Sequence, residues 1–283
     1  MYQAGLILEG GGMRGVFTAG VLDFFLDKEI MFSSCYGVSM GACNACSYLS
    51  RQRGRSFDVI VDYIGDRRYC SVHSLLTTGD LFGADFVYNE IPNKLNLYDY
   101  KAFQAYRGKF YAVMTDCKTG MAVYYHVKDM KKDIIAVRAS SSLPLVSRMV
   151  TINGRKYLDG GIADSIPLRR SMKDGNQKNV VVLTRAKGYR KAPMKMNGLV
   201  SARYAGYPGL AEGMKSRADR YNDTVAFIQK EEEKGNVFVI RPRNAVHVGR
   251  VEKDREKLKL LYEEGYACAA QCFEEMTEYL NAD

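Results

Sequence analysis

The sequence predicts an α/β protein organised around a mainly parallel sheet. Three observations carry this. Between Ala4 and Leu49, two short apolar strands alternate with two helical stretches. Each of those strands ends in a glycine-bearing turn that runs directly into the next helix, and a strand–helix–strand unit of this kind closes with a right-handed crossover. Far down the chain, the β-branched runs Val180–Leu183 and Val237–Ile240 have the composition of fully buried strands.

Ala4–Leu8 reads as a buried strand that ends in Glu9-Gly10-Gly11-Gly12-Met13-Arg14-Gly15. A helix follows, with Val16, Ala19, Gly20, Leu22, Phe24 and Leu26 at its small and apolar positions. Phe32–Val38 is the second strand, leading to Ser39, and Met40–Leu49 is a second helix of small residues. Residues 54–100 are less regular. Asp80–Phe86 and Ile91-Pro92 suit short helices and loops beside a cleft. Phe110–Thr115 and Ala122–Val127 alternate like strands around Lys118-Thr119-Gly120, which predicts a hairpin. Ile134–Ser142 reads as a helix stopped before Pro144. Val150–Ile152 and Lys156–Leu158 flank Asn153-Gly154, the strongest short hairpin signal. Lys253–Leu280 reads as one long helix, with Leu258, Leu261, Tyr262, Tyr266 and Ala269 at helical spacing. The stretch Arg185–Arg220 is rich in Lys, Arg, Gly and Tyr and lacks a clear period. It fits a mobile loop over an active site, a surface that touches an anionic interface, or a solvated basic loop.

At 283 residues, 47% of them hydrophobic, the chain can bury a sizeable core in one large domain or one domain with an elaborated C-terminal part. Its 41 basic residues against 32 acidic ones leave a net charge of +9, which suits a soluble basic protein or attraction to anionic phosphates and lipid headgroups. Nucleic acid is not expected as a partner, because there is no zinc-finger spacing, no RNA-binding aromatic motif and no long basic helix. No stretch approaches the roughly 18 consecutive apolar residues that span a bilayer. The N-terminus lacks a basic region followed by an apolar signal segment. Seven cysteines without a regular framework point to a reduced, cytoplasmic compartment, with the positive charge suited to peripheral contact with an anionic membrane surface. Cys43-Asn44-Ala45-Cys46 falls inside the helix of small residues and reads as packing rather than as a redox pair.

Gly37-Val38-Ser39-Met40-Gly41 has the pattern of a nucleophile elbow, a sharp strand-to-helix turn that holds a serine hydroxyl at a strand tip beside a helix N-terminus. Gly10–Gly15 fits three glycine-loop chemistries. It matches a dinucleotide fingerprint literally, but the second strand then lacks the terminal carboxylate that would hold the ribose. A phosphate loop would need Gly-Lys-Ser/Thr at the helix start, where Met13-Arg14-Gly15 stands. As an oxyanion hole, successive glycine N–H groups would face an anionic oxygen, and the neighbouring strand ends place them beside the serine. A serine hydroxyl needs a base. The three histidines, His73, His126 and His247, sit in no motif-like context, whereas in Leu158-Asp159-Gly160-Gly161-Ile162 two glycines leave the Asp159 carboxylate uncrowded and near backbone amides, although Asp-Gly-Gly taken alone reads first as a turn.

These three blocks, in this order, resemble the patatin-like phospholipase family: a G-G-G-x-R/K-G loop, a G-x-S-x-G elbow and a D-G-G/A motif. Arg138-Ala139-Ser140-Ser141-Ser142-Leu143-Pro144 is similar to the family's A-S-x-x-x-P stretch, and the match runs from about Leu6 to Pro167. The resemblance implies a three-layer α/β/α fold with a mainly parallel sheet and a patatin-like catalytic core over residues 1–170. Residues 171–283 would then be a helix-rich continuation of the same domain. It implies a Ser–Asp dyad with Ser39 as nucleophile and Asp159 as base, and an oxyanion loop of Gly10, Gly11, Gly12 and Arg14. The Arg14 side chain would either bind phosphate or brace the loop. The substrate would be a lipid or other acyl ester, hydrolysed through an acyl-enzyme, with no metal or organic cofactor. Leu81, Phe82, Phe86 and Leu143 are candidates to accept the acyl chain. Activity is expected to persist below pH 6, with no essential histidine. The alternatives are a Ser-His-Asp esterase using Ser39, Asp159 and His247, a nucleotide-binding oxidoreductase using the glycine loop, and a catalytically silent lipid-binding protein. Only one strand precedes the elbow strand, too few for the usual build of the first.

Overall fold

The computed structural model describes residues 1–195 and 197–282. Its sheet is 8-stranded: β1 (Tyr2–Leu8), β2 (Phe32–Val38), β3 (Lys109–Asp116), β4 (Ala122–Val127), β5 (Val150–Ile152), β6 (Arg155–Asp159), β7 (Lys178–Val182) and β8 (Phe238–Ile240). The order is β5-β6-β3-β2-β1-β7-β8, with β4 also pairing with β3. From β3 through β2, β1 and β7 to β8 every pairing is parallel, and β4, β5 and β6 add antiparallel pairs at the β3 end. The helices are α1 (Val16–Asp27), α2 (Met40–Leu49), α3 (Arg55–Tyr63), α4 (Val72–Thr78), α5 (Tyr100–Ala105), α6 (Met130–Ser140), α7 (Leu168–Lys173), α8 (Asn197–Arg203), α9 (Pro208–Lys215), α10 (Arg217–Glu233), α11 (Arg255–Gln271) and α12 (Phe273–Asn281). A π-helical segment spans Phe86–Leu95. Among the described residues, no helix is long and apolar enough to cross a membrane.

Strand alternation produces the three layers. Leu6, Leu8, Val180 and Val182 point into the larger core, which they share with residues of α1, α2, α6 and α11. Ile7, Val181 and Leu183 point the other way, onto Ile166, Leu168, and Tyr221 and Ile228 of α10. The expected α/β/α arrangement with a mainly parallel sheet is the one observed.

Three expectations change. The long C-terminal helix breaks at Cys272, whose backbone (φ −98°, ψ 13°) leaves the helical region. The break lets α11 stay on α1 while α12 turns to bury Met276 and bring the Tyr279 hydroxyl, as acceptor, to the Asn179 N–H at 2.9 Å. α6 starts at Met130 rather than Ile134, because the Asp129 carboxylate accepts from Lys131 N–H and caps it. The basic stretch Arg185–Arg220 is not a plain loop. It contains α8, α9 and the first turn of α10.

Register along β3 brings the two ends of the sheet's chemistry together. β4 occupies one edge of β3. On the other edge β2 runs up to the pair Val38↔Val113, and β6 begins at the next residue with the pair Asp159↔Met114. The residue after Val38 is Ser39. The tip of β2 and the end of β6 therefore meet head-on in one lane of the sheet.

Candidate active site

Ser39 has φ 54° and ψ −124°, a strained conformation for a residue with a Cβ, and it links β2 directly to α2. The flanking glycines make the turn possible by close approach. A Cβ at Gly37 would lie 2.6 Å from Ala42 Cα, and one at Gly41 would lie 2.5 Å from the Leu8 carbonyl oxygen. The end of α6 ties the elbow and the aspartate to one scaffold. Ser39 N–H donates to Ser140 Oγ at 2.9 Å, and Asp159 N–H donates to the Ser142 carbonyl at 2.8 Å.

Asp159 is 2% exposed. Its Oδ1 accepts the Gly161 N–H at 2.7 Å, while Oδ2 makes no hydrogen bond of regular geometry among the described residues. Burial raises the Asp159 carboxyl above its ordinary value. The Arg217 guanidinium and then the nearby Ser39 hydroxyl oppose that rise without cancelling it. The hydroxyl thus favours the charged carboxylate without a regular hydrogen bond to it.

The glycine loop faces the same space. Gly12 (φ 60°) lies so close to the C-terminal chain that a Cβ would sit 2.6 Å from the Arg250 carbonyl oxygen, and that carbonyl accepts the Met13 N–H at 3.1 Å. The Gly10 N–H is engaged by Ser165 O at 3.4 Å. Gly11 and Gly12 donate to no backbone or side-chain acceptor among the described residues. Arg14 is 8% exposed, and its Nε has no partner among the described residues. Glu9 braces the loop from below, accepting from Thr184 N–H and, at 2.8 Å, from the Tyr221 hydroxyl of α10. Gly10, Gly11, Gly12, Arg14, Ser39 and Asp159 all line one polar cavity.

A second, apolar cavity of about 120 Å³ opens from Ser39 on the other side, between α2, α3, the π-helical segment and α6. Of the four side chains expected to accept an acyl chain, Phe82 and Leu143 line it. Leu81 and Phe86 do not. Leu81 is pinned by backbone bonds to Val146 and Ser71, and Phe86 turns into the core, edge-on to Tyr63. Cys43 and the buried Cys46 both line this cavity, and both are free thiols. None of the three histidines lines either cavity, and His247 is exposed. Among the described residues, no cluster of three or more His, Cys, Asp or Glu side chains is placed to hold a metal ion.

A family model described as patatin-like phospholipase matches residues 6–170. The chain belongs to the patatin-like phospholipase family. Its patatin-like segment thus takes in the elbow, the glycine loop and Asp159, and membership supports a lipid hydrolase. A second family model, described as a domain of unknown function, matches residues 207–281. The protein YjjU of Escherichia coli K12 is 29% identical over 265 residues, covering 90% of this chain and 74% of its own length. A probable lipid hydrolase, 463L, of Invertebrate iridescent virus 6 is 25% identical over 195 residues, covering 63% of this chain and 66% of its own length. Among solved structures, VipD from Legionella pneumophila aligns over 97% of this chain and 67% of its own, at 11% identity and a TM-score of 0.48.

Sequence reasoning missed several residues of the polar cavity. Arg185, Tyr189 and Lys191 come from the loop after β7, Arg217 and Tyr221 from α10, and Arg250 from the segment before α11. The richness of 185–220 in Arg, Lys and Tyr was the available signal. Nothing local indicated that these side chains turn inward.

Proposed function

We propose that this patatin-like protein is a serine acyl hydrolase of lipid esters, phospholipase A-like, working through a Ser39–Asp159 dyad. The observation that supports the reading is the shared lane on β3, which sets Ser39, lining both the apolar and the polar cavity, tip to tip with Asp159, which lines the polar one. Asp159 takes the Ser39 proton as Oγ bonds to the ester carbonyl carbon. It returns that proton to the departing alkoxide as the carbon–oxygen bond to the alcohol breaks. Water then attacks the acyl-enzyme with Asp159 again as base, and Ser39 regains a proton as the fatty acid leaves. The N–H groups of the Gly10–Gly12 loop, with Gly11 and Gly12 as the free donors, stabilise the tetrahedral oxyanion, and Arg14 adds positive charge behind them. The elevated Asp159 carboxyl makes a better base than an exposed aspartate, whose ordinary pKa is about 3.9. We read residues 171–283 as a continuation of the same domain, since β7 and β8 extend the sheet and α10 covers its second face.

The test is labelling by a fluorophosphonate together with turnover of a panel of acyl esters by wild type, Ser39→Ala and Asp159→Asn. Labelling lost in Ser39→Ala, with turnover lost in both variants across the panel, is the expected result. Labelling that survives Ser39→Ala would remove Ser39 from the mechanism.

A further inference from the structure

The polar cavity has an excess of positive charge that the dyad alone does not use. Arg14, Arg185, Lys191, Arg217 and Arg250 all line it, against two carboxylates, Glu9 and Asp159. Glu9 is already satisfied by Thr184 and Tyr221. Among the described residues, none of the five cations forms an ion pair within 4 Å. What contacts they do make are with neutral groups. Arg217 Nε donates to the Gly161 carbonyl, Arg185 donates to the Val246 carbonyl at 3.3 Å, and Lys191 Nζ lies 3.7 Å over the Tyr221 ring. The 8%-exposed Arg14 keeps an unpartnered Nε in the cavity wall. Gathering unpaired cations in a confined space is unfavourable unless an anion joins them.

The size and position of the cavity narrow the class of anion. Its free space is about 60 Å³, several times the roughly 10–15 Å³ that one water needs on the same measure. That is room for a phosphate-sized group. Ser39, Gly12 and Leu143 line both this cavity and the apolar one, so a single ester held at Ser39 has its acyl chain in one arm and its alcohol portion in the other.

We propose that the cationic arm is a subsite for a phosphate monoester on the alcohol portion of the acyl substrate, completed by residues of the loop after β7 and of the C-terminal segment. The assignment rests on the acyl-hydrolase reading above and deepens it. The substrate class is an acylated glycerol phosphate with a free, dianionic phosphate. Two negative charges offset most of the surplus of three cations, and Arg side chains supply the paired N–H geometry that phosphate oxygens take. A quaternary ammonium beyond the phosphate would lie among like charges. Lys191 agrees with this: burial, followed by Arg217, lowers its pKa to about 7, and a bound anion would return it to the charged form.

The experiment has a binding arm and a turnover arm. The Ser39→Ala protein is titrated calorimetrically with glycerol 3-phosphate, glycerophosphocholine, inorganic phosphate and glycerol. Glycerol 3-phosphate is expected to bind at least tenfold more tightly than glycerophosphocholine, with no heat from glycerol. Adding Lys191→Met or Arg250→Ala should weaken it about tenfold each, with a ligand-free Tm no lower than that of Ser39→Ala, since each removes one of the crowded cations. Equal or absent binding of glycerol 3-phosphate overturns the proposal. Inorganic phosphate binding as tightly as glycerol 3-phosphate overturns the headgroup assignment in favour of a free-phosphate site. In the turnover arm, wild type is given a monoacylglycerol and the monoacylglycerol phosphate of the same chain. A preference of at least tenfold in kcat/KM for the phosphate, reduced in both variants, supports the subsite. Turnover of both without preference refutes the subsite and leaves the hydrolase reading standing. Tight glycerol 3-phosphate binding with no ester turned over supports the phosphate site and refutes the hydrolase reading.

Discussion

The two cavities that flank Ser39 are built from different parts of the chain and by different physics. The apolar arm draws on residues between Gly12 and Leu143, inside the segment that matches the patatin-like model. Local helix amphipathicity shapes it, for α3, α6 and the π-helical segment each turn an apolar side toward α2. The polar arm is a composite. The glycine loop and Asp159 come from the patatin-like segment, while Arg185, Lys191, Arg217 and Arg250 arrive from beyond it. Two of these, Arg217 and Arg250, fall in the stretch 207–281 that matches the model of unknown function. On the proposed reading, the difference means that one segment carries the reacting groups and the acyl side, while another sets the charge of the alcohol side.

The largest expected effect lies in the polar arm, at the residue facing Ser39. Asp159→Asn should lower kcat on every ester by about 10³-fold or more. It should do so without lowering Tm at pH 7, which separates loss of the base from loss of the fold. The sign follows from burial. The folded-state pKa of Asp159 is raised, so its contribution to stability is complete below the unfolded carboxyl's pKa and is lost as pH rises through the folded value. At pH 7 the wild type bears that cost and the amide does not. The melting difference should shrink as pH falls toward the carboxylate range. In turnover, the acid limb of the wild-type profile should lie above the ordinary carboxylate pKa, because only the ionised form accepts the Ser39 proton. A Tm at pH 7 several degrees lower in the variant would show that Asp159 chiefly holds the fold.

Much of this was legible in the residues, and the gaps have physical causes. Phe32–Val38 and Met40–Leu49 stand where their pattern puts them, because a glycine-flanked elbow admits no sliding of its boundaries. Asn153 and Gly154 take φ 49° and 75°, as a two-residue hairpin turn demands. The Ser39 and Asp159 motifs could be read, and the resemblance implied that they pair; what the residues did not reveal is the register that sets β2 and β6 on one edge of β3. α10 escaped because its buried residues, Ala218, Tyr221, Ile228 and Glu231, form a sparse stripe in a run of charge. The π-helical segment escaped because Pro92, inside it, reads as a breaker.

A smaller effect is expected from Ser140→Ala, which loosens the support common to both arms. Removing Ser140 Oγ leaves the Ser39 N–H buried without its acceptor, at a cost of roughly 1–3 kcal/mol. For a chain of this length that lowers Tm by about 2–4 °C per kcal/mol. Ser140→Thr, which retains an acceptor oxygen, should recover part of it. If Ser140→Ala melts like wild type, the bond does not hold the elbow.

The smallest effect should separate the arms most cleanly. Val59 of α3 lines the apolar cavity far along the chain from the cationic residues, and it is half-buried, so the helix can accept a larger side chain there. Val59→Phe adds bulk to a space of about 120 Å³ and shortens what fits. Discrimination by one methylene in a closed apolar pocket is about 10–200-fold, and less in one whose wall can yield. The preferred acyl chain should therefore shift shorter by a few carbons, with several-fold losses on the longest esters measured as kcat/KM. The ratio between phosphate-bearing and neutral esters of equal chain length should stay constant, because nothing in the cationic arm has moved. A change in that ratio together with chain length would mean the two cavities act as one pocket, and the division of labour between the two segments of the chain would fail.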